Sequence, residues 1–130
     1  MKETLPEIKK VILAEDSDTA RRSLKLKRII RHLQKSISSI AKCRVPVIAV
    51  VNGVCIGGGV NLLSACDIVV LSKTSKLSIR EVKLGLVADI GVIHRLTSTT
   101  GNWSLLSELT YTGRFFGVKE AEQIGLGSFV

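Results

Sequence analysis

Two carboxylates stand out by type and spacing. Glu81 and Asp89 bracket the run Glu81-Val82-Lys83-Leu84-Gly85-Leu86-Val87-Ala88-Asp89, most of whose members are apolar. Burial in such surroundings raises a carboxyl pKa and suits the group to proton transfer, whereas a single acid of this kind is more often a residue facing solvent. Upstream lie three consecutive glycines, Gly57-Gly58-Gly59, between the apolar run Val47-Ile48-Ala49-Val50-Val51 and a helix expected to run to about Cys66. Glycine lets a ligand approach the backbone closely, and a helix start offers unpaired N–H groups. Together they suit an anion, or a carbonyl oxygen that becomes anionic during a reaction. Taken alone, the glycines also fit a structural tight turn.

Familiar phosphate motifs do not fit. A P-loop ends in Gly-Lys-Ser/Thr, which is absent here. A dinucleotide fold places G-x-G-x-x-G at the strand end and an acid about twenty residues on. Here the glycines come late, after Val54-Cys55-Ile56, and Asp67 comes too soon.

The elements that must hold these residues follow from pattern. Glu15-Asp16-Ser17-Asp18-Thr19 is rich in helix-capping types. From Ala20 to Cys43, Leu26, Ile29, Ile30, Leu33, Ile37 and Ile40 recur at steps of three and four, the helical period. Arg21, Lys25, Arg28, Lys35 and Lys42 fall largely on the other side, as a solvated face or as a comb of cations for phosphate on a cofactor or on RNA. Pro46 closes this helix region. Residues 47–51 are apolar on both faces, which predicts a parallel strand covered on both sides. A second strand is predicted at Ile68–Leu71 and a short one at Leu77–Ile79, with Arg80 to Gly91 irregular. Helices are expected at Ile93–Leu96, Trp103–Leu109 and Val118–Ile124, and a turn at Thr110–Arg114. Met1–Leu13 reads as a short helix or a loop, and Gly127–Val130 opens a further element. Helices alternating with strands predict an α/β fold with parallel strands and covering helices.

Length and composition set outer limits. The chain has 130 residues, enough for one domain, with 45% hydrophobic residues and few aromatics, so the core is aliphatic. The net charge is +8, and residues 1–45 alone carry twelve Lys/Arg against five Asp/Glu. No apolar run approaches the ~20 residues of a membrane span, and the first ten residues are too charged for a signal peptide. Cys43, Cys55 and Cys66 have no zinc-type spacing and read as reduced thiols, small buried hydrophobes of an intracellular protein.

The strings PVIAVVNGVCIGGGVNLLSACDIVV, REVKLGLVADIGVIHRL, GNWSLLSELTYTGR and KEAEQIGL, in this order, resemble the enoyl-CoA hydratase/isomerase (crotonase) superfamily. The resemblance covers most of the chain from about Ala20 and is greatest to the Δ3,5-Δ2,4-dienoyl-CoA isomerases. It implies a crotonase-like ββα superhelix and an acyl-CoA thioester substrate whose oxygen sits in an oxyanion hole. Gly58, the middle glycine, would supply one N–H of that hole, beside Gly57. The resemblance makes Glu81 the main catalytic carboxylate and Asp89 the second proton-transfer acid. Together they would shift a 3,5-dienoyl-CoA to a 2,4-dienoyl-CoA in fatty-acid β-oxidation. Asn61 occupies a position where hydratases carry a glutamate and dienoyl isomerases an aspartate. An amide cannot transfer a proton as a carboxylate does, so Asn61 argues against hydration.

The nearest alternatives are a Δ3-Δ2-enoyl-CoA isomerase working on Glu81 alone, a non-catalytic homologue that assembles with active subunits, and an RNA-binding homologue using the basic 20–43 helix. No cofactor is implied, because coenzyme A arrives as part of the substrate. Family members run longer, so residues 1–130 are expected to form a single partial domain, with N-terminal strands and C-terminal helices lying outside it. A homo-oligomer, a trimer or hexamer, is implied for the longer protein, in the peroxisome or mitochondrion. The chain shows no targeting signal of its own and no membrane role.

Overall fold

The structure, a computed structural model, describes Pro6, Ile8, Lys10, Val11, Leu13 and residues 18–127. The expectations for Met1–Leu13 as a segment and for an element beginning at Gly127 lie outside the described residues. Helix α1 runs over Thr19–Ile40, and the Asp18 carboxylate caps it by accepting the Arg21 N–H at 2.9 Å. It stops three residues short of Cys43. Its apolar positions are only half-buried, and none of its residues is fully buried.

The chain then lays down strands in pairs. Strand β1 (Ile48–Val51) is followed at once by β2 (Val54–Ile56), with Asn52-Gly53 between them and Gly53 at φ 100. Helix α2 (Gly58–Leu63) follows, then β3 (Ile68–Leu71) and β4 (Lys76–Ser78). Consecutive strands enter different sheets: β1 pairs with β3 in parallel, Ile48 opposite Ile68, and β2 pairs with β4 in parallel, Val54 opposite Lys76. Two strands and a helix thus make one turn of a repeat, and each strand finds its partner one turn later. The expected parallel α/β arrangement is present. The strand at Val54–Ile56 was not expected as a separate element. Its alternation is too short to signal a change of sheet.

A 3₁₀ turn at Glu81–Leu84 orders the start of the stretch expected to be irregular. Helices α3 (Val92–Thr99), α4 (Trp103–Thr112) and α5 (Val118–Gln123) follow among the described residues. The expected turn at Thr110–Arg114 is corrected: α4 runs through Thr112 and is ended by Gly113 in the left-handed region at φ 56.

Leu71, Leu77, Ile79, Val60, Val92, Leu106, Leu109 and Ile124 are sealed between the strands and α2–α5. Each such side chain contributes about 1.5–3 kcal/mol. The expectation that β1 is covered on both faces fails. Val51 is 8% exposed, but Ile48 and Val50 are 59% and 74% exposed, so one face is bare within the described residues. The cysteines are all free, and Cys55 and Cys66 are partly buried. Cys43 is exposed, which corrects its reading as a buried hydrophobe. Among the described residues no helix is long and apolar enough to cross a membrane.

Candidate active site

The glycine bend turns β2 into α2. Gly57 sits at φ 52, ψ −112, a conformation other residues avoid, and its N–H donates to Ser78 O at 2.8 Å. That bond ties the bend to the end of β4, three residues before Glu81. Gly58 and Gly59 open the helix, so their N–H groups have no carbonyl one turn back to bond. A Cβ built on Gly57 would stand 3.6 Å from Glu81 Oε1, which measures how closely the bend and the carboxylate approach.

Glu81 is 8% exposed and belongs to no ion pair among the described residues. Its Oε1 accepts the Asn61 Nδ2–H at 2.9 Å, and its Oε2 is buried without a hydrogen-bond partner. Asn61 is wholly buried. Its Nδ2 also donates to Gly57 O at 3.2 Å, and its Oδ1 accepts the Val92 N–H at 2.9 Å. Asn61, expected among the catalytic residues, lies in contact with Glu81 and does not line the cavity in front of it.

In front of the glycine bend and Glu81 lies a cavity of about 540 Å³. Gly57, Gly58 and Glu81 line it, and its remaining wall is mostly aliphatic: Leu33 and Ile37 of α1, Ile56, Leu62, Leu84 and Ile90. Arg80 and Lys83 bring positive charge to its edge. The Arg80 guanidinium lies 4.9 Å from the centre of the Phe115 ring. Asp89 is not in the wall. It sits exposed on the turn between Leu86 and Ile90, which do line the cavity, and its own carbonyl accepts the Gln34 Nε2–H at 2.7 Å from α1. Desolvation holds its carboxyl above the usual carboxylate range, against a lowering by its own backbone N–H.

The structure therefore brings together Gly57, Gly58 and Glu81, places Asn61 in contact with Glu81, and leaves Asp89 one step outside. The α1 wall residues and the Val92 N–H were not anticipated as parts of a site. The helical period of α1 marks Leu33 and Ile37 as inward-facing, but nothing in the sequence says what they face. Among the described residues no group of His, Cys, Asp and Glu could hold a metal ion. The arrangement can take up an apolar ligand, offer N–H donors to one of its oxygens, and exchange a proton through one carboxylate.

Comparison with known proteins is consistent with this chemistry. Residues 17–130 match the enoyl-CoA hydratase/isomerase family. The peroxisomal Δ(3,5)-Δ(2,4)-dienoyl-CoA isomerase of Arabidopsis thaliana is 46% identical over 114 residues, which are 88% of this chain and 41% of that protein. The mitochondrial Δ(3,5)-Δ(2,4)-dienoyl-CoA isomerase of Rattus norvegicus is 45% identical over 113 residues, 87% of this chain and 35% of that protein. The crystal structure of a putative enoyl-CoA hydratase from Thermobifida fusca in complex with acetoacetyl-CoA superposes with a TM-score of 0.75 at 28% identity, covering 95% of this chain and 49% of that one. The chain thus spans less than half the length of the relatives it matches.

Proposed function

The chain belongs to the enoyl-CoA hydratase/isomerase family, and from that premise we propose that it carries the proton-transfer half of an acyl-CoA isomerase of fatty-acid β-oxidation. The substrate is a 3,5-dienoyl-CoA and the product its 2,4-isomer. Glu81 removes a proton from the carbon between the thioester and the first double bond. The C–H electron pair spreads over the diene and onto the thioester oxygen, giving an enolate. The Gly58 N–H, beside Gly57, holds that oxygen; a donor of this kind is worth about 3–4 kcal/mol in the transition state. A proton returned at the far end of the conjugated system, from Asp89, leaves each double bond one carbon nearer the thioester. Desolvation raises the Asp89 carboxyl pKa, the direction that favours its proton-carrying form.

One observation carries this reading: a buried carboxylate with one unbonded oxygen on the wall of an aliphatic cavity, against a backbone bend with free N–H groups. Acyl-CoA as the ligand is further supported by the Thermobifida structure, which is a complex with acetoacetyl-CoA. No separate cofactor is needed. The relatives' names place them in peroxisomes and mitochondria, and the same intracellular compartments are proposed here. The match covers only part of each relative, and assembly into a homo-oligomer, a trimer or hexamer, belongs to the same proposal.

Incubation with a 3,5-dienoyl-CoA, followed by the near-ultraviolet absorption of the conjugated 2,4-dienoyl thioester, tests the reading. Product formation lost in Glu81→Gln is the expected result; a rate unchanged by that substitution overturns it. A second reading, Δ3-Δ2-enoyl-CoA isomerisation on Glu81 alone, is favoured by the exposure of Asp89 outside the cavity wall. Asp89→Asn separates the two: it removes diene isomerisation under the first and leaves simple enoyl isomerisation intact under either.

A further inference from the structure

We propose that Asn61 is the positioning residue of this site: it fastens Glu81 by Oε1 and so leaves Oε2 as the one oxygen that exchanges a proton. The proposal rests on the reading of Glu81 as the base. Its ground is the direction of the Asn61 amide. The Val92 main chain offers only an N–H at this point, and Asn61 Oδ1 accepts it at 2.9 Å. The opposite end of the amide meets two acceptors, Gly57 O at 3.2 Å and Glu81 Oε1 at 2.9 Å. A flipped amide would face N–H with NH₂ on one side and oxygen with oxygen on the other. All three contacts would be lost inside a wholly buried site, so only one orientation is available.

That orientation has two consequences. Glu81 receives its hydrogen bond from a neutral donor on one oxygen, and its Oε2 stays unbonded. A cation in the same place would quench the charge that a base needs. Asn61 also stands in for the missing cap of α3. The residue before that helix is Gly91, which has no side chain to offer, and the first N–H of the helix goes to Asn61 Oδ1 instead. One side chain therefore locks the glycine bend, the Glu81 turn and the start of α3 to each other.

Asn61→Leu keeps the size of the side chain and removes both its donor and its acceptor. The 15N/13C-labelled chain is examined for a scalar coupling across the hydrogen bond between Asn61 Nδ2 and Glu81 Cδ, and the isomerisation of a 3,5-dienoyl-CoA is followed in the wild type and in Asn61→Leu. The expected results are a coupling in the wild type and, in a folded Asn61→Leu, a fall in kcat of about 10²-fold with KM little changed. No coupling in the wild type, or a folded Asn61→Leu with kcat within about threefold of wild type, overturns the proposal. A wild type that turns over no acyl-CoA counts against the functional reading instead, and the wild-type coupling then decides the clamp.

Discussion

Glu81 and Glu108 each accept hydrogen bonds from a neighbouring side chain, and the difference between the two settings separates a buried carboxylate from a solvated one. Glu108 lies on α4 in an exposed network. Arg114 donates from Nε to its Oε1 at 2.9 Å and from Nη2 to its Oε2 at 2.7 Å, and the same Nη2 reaches Glu120 Oε1 at 2.6 Å. Both Glu108 oxygens and the charge are satisfied, and the Arg114 hydrogen bonds hold the Glu108 and Glu120 carboxyls below their usual range. Glu81 is buried, bonded on one oxygen only, and its partner is a neutral amide. An exposed saturated cluster can be removed at little cost because water replaces it. A buried unsaturated carboxylate is unfavourable to folding, and its presence calls for a functional reason.

The largest expected effect therefore falls on Glu81. Glu81→Gln should lower isomerisation by about 10²–10⁴-fold, the usual range for a lost general base. Gln Oε1 can still accept from Asn61 in place of Glu81 Oε1, so thermal unfolding should show no loss of stability. A clear drop in melting temperature would erase the contrast with Glu108. Next comes Gly57→Ala. The left-handed φ of 52 costs any other residue about 1–3 kcal/mol, and the new methyl would lie 3.6 Å from Glu81 Oε1, an ordinary contact. Chemical denaturation should report that loss, and an unchanged midpoint would mean the bend relaxes freely.

Acid titration gives a smaller effect with opposite signs at the two kinds of site. Glu108 and Glu120 have folded pKa values below the ordinary 4.5, so their contribution is present above that value and is lost as the pH falls through the folded pKa values. Asp89 has a folded pKa above the ordinary 3.8, so it opposes folding above its folded pKa, and that cost disappears as the pH falls through it toward 3.8. Stability measured between neutral pH and pH 3 should therefore fall less steeply in Arg114→Gln and more steeply in Asp89→Asn. Smallest of all is Arg114→Gln at neutral pH, which should shift the melting temperature slightly and lose even that shift in high salt. A large salt-independent loss would give the exposed network a structural weight that its exposure does not suggest.

The residues of the site were legible to different degrees. Gly57, Gly58 and Glu81 could be picked out because backbone freedom and an acid in apolar surroundings are properties of single residues, and the structure places all three on one cavity. Asn61 could be picked out by position but not by task, since its partners Val92 and Glu81 lie 31 and 20 residues away. Asp89 looked equivalent to Glu81 in an apolar stretch. The turn at residues 89–91 instead leaves it at the surface. In the fold, α1 and the strands at 48–51 and 68–71 follow from periodicity. The splitting of Ile48–Ile56 between two sheets does not, because pairing is a relation between segments more than fifteen residues apart.

By itself the sequence determined the local pieces: an amphipathic α1 capped at Asp18, β-branched strands, a bend only glycine can make, and the acids that follow it. Each is decided by short-range sterics, capping or the periodicity of burial, all of which act within a few residues. Only the tertiary structure decided which carboxylate is buried, which of its oxygens is bonded, and which way the Asn61 amide points. Those outcomes depend on the desolvation and the directed hydrogen bonds that arise when β4, α2 and the start of α3 meet around one side chain.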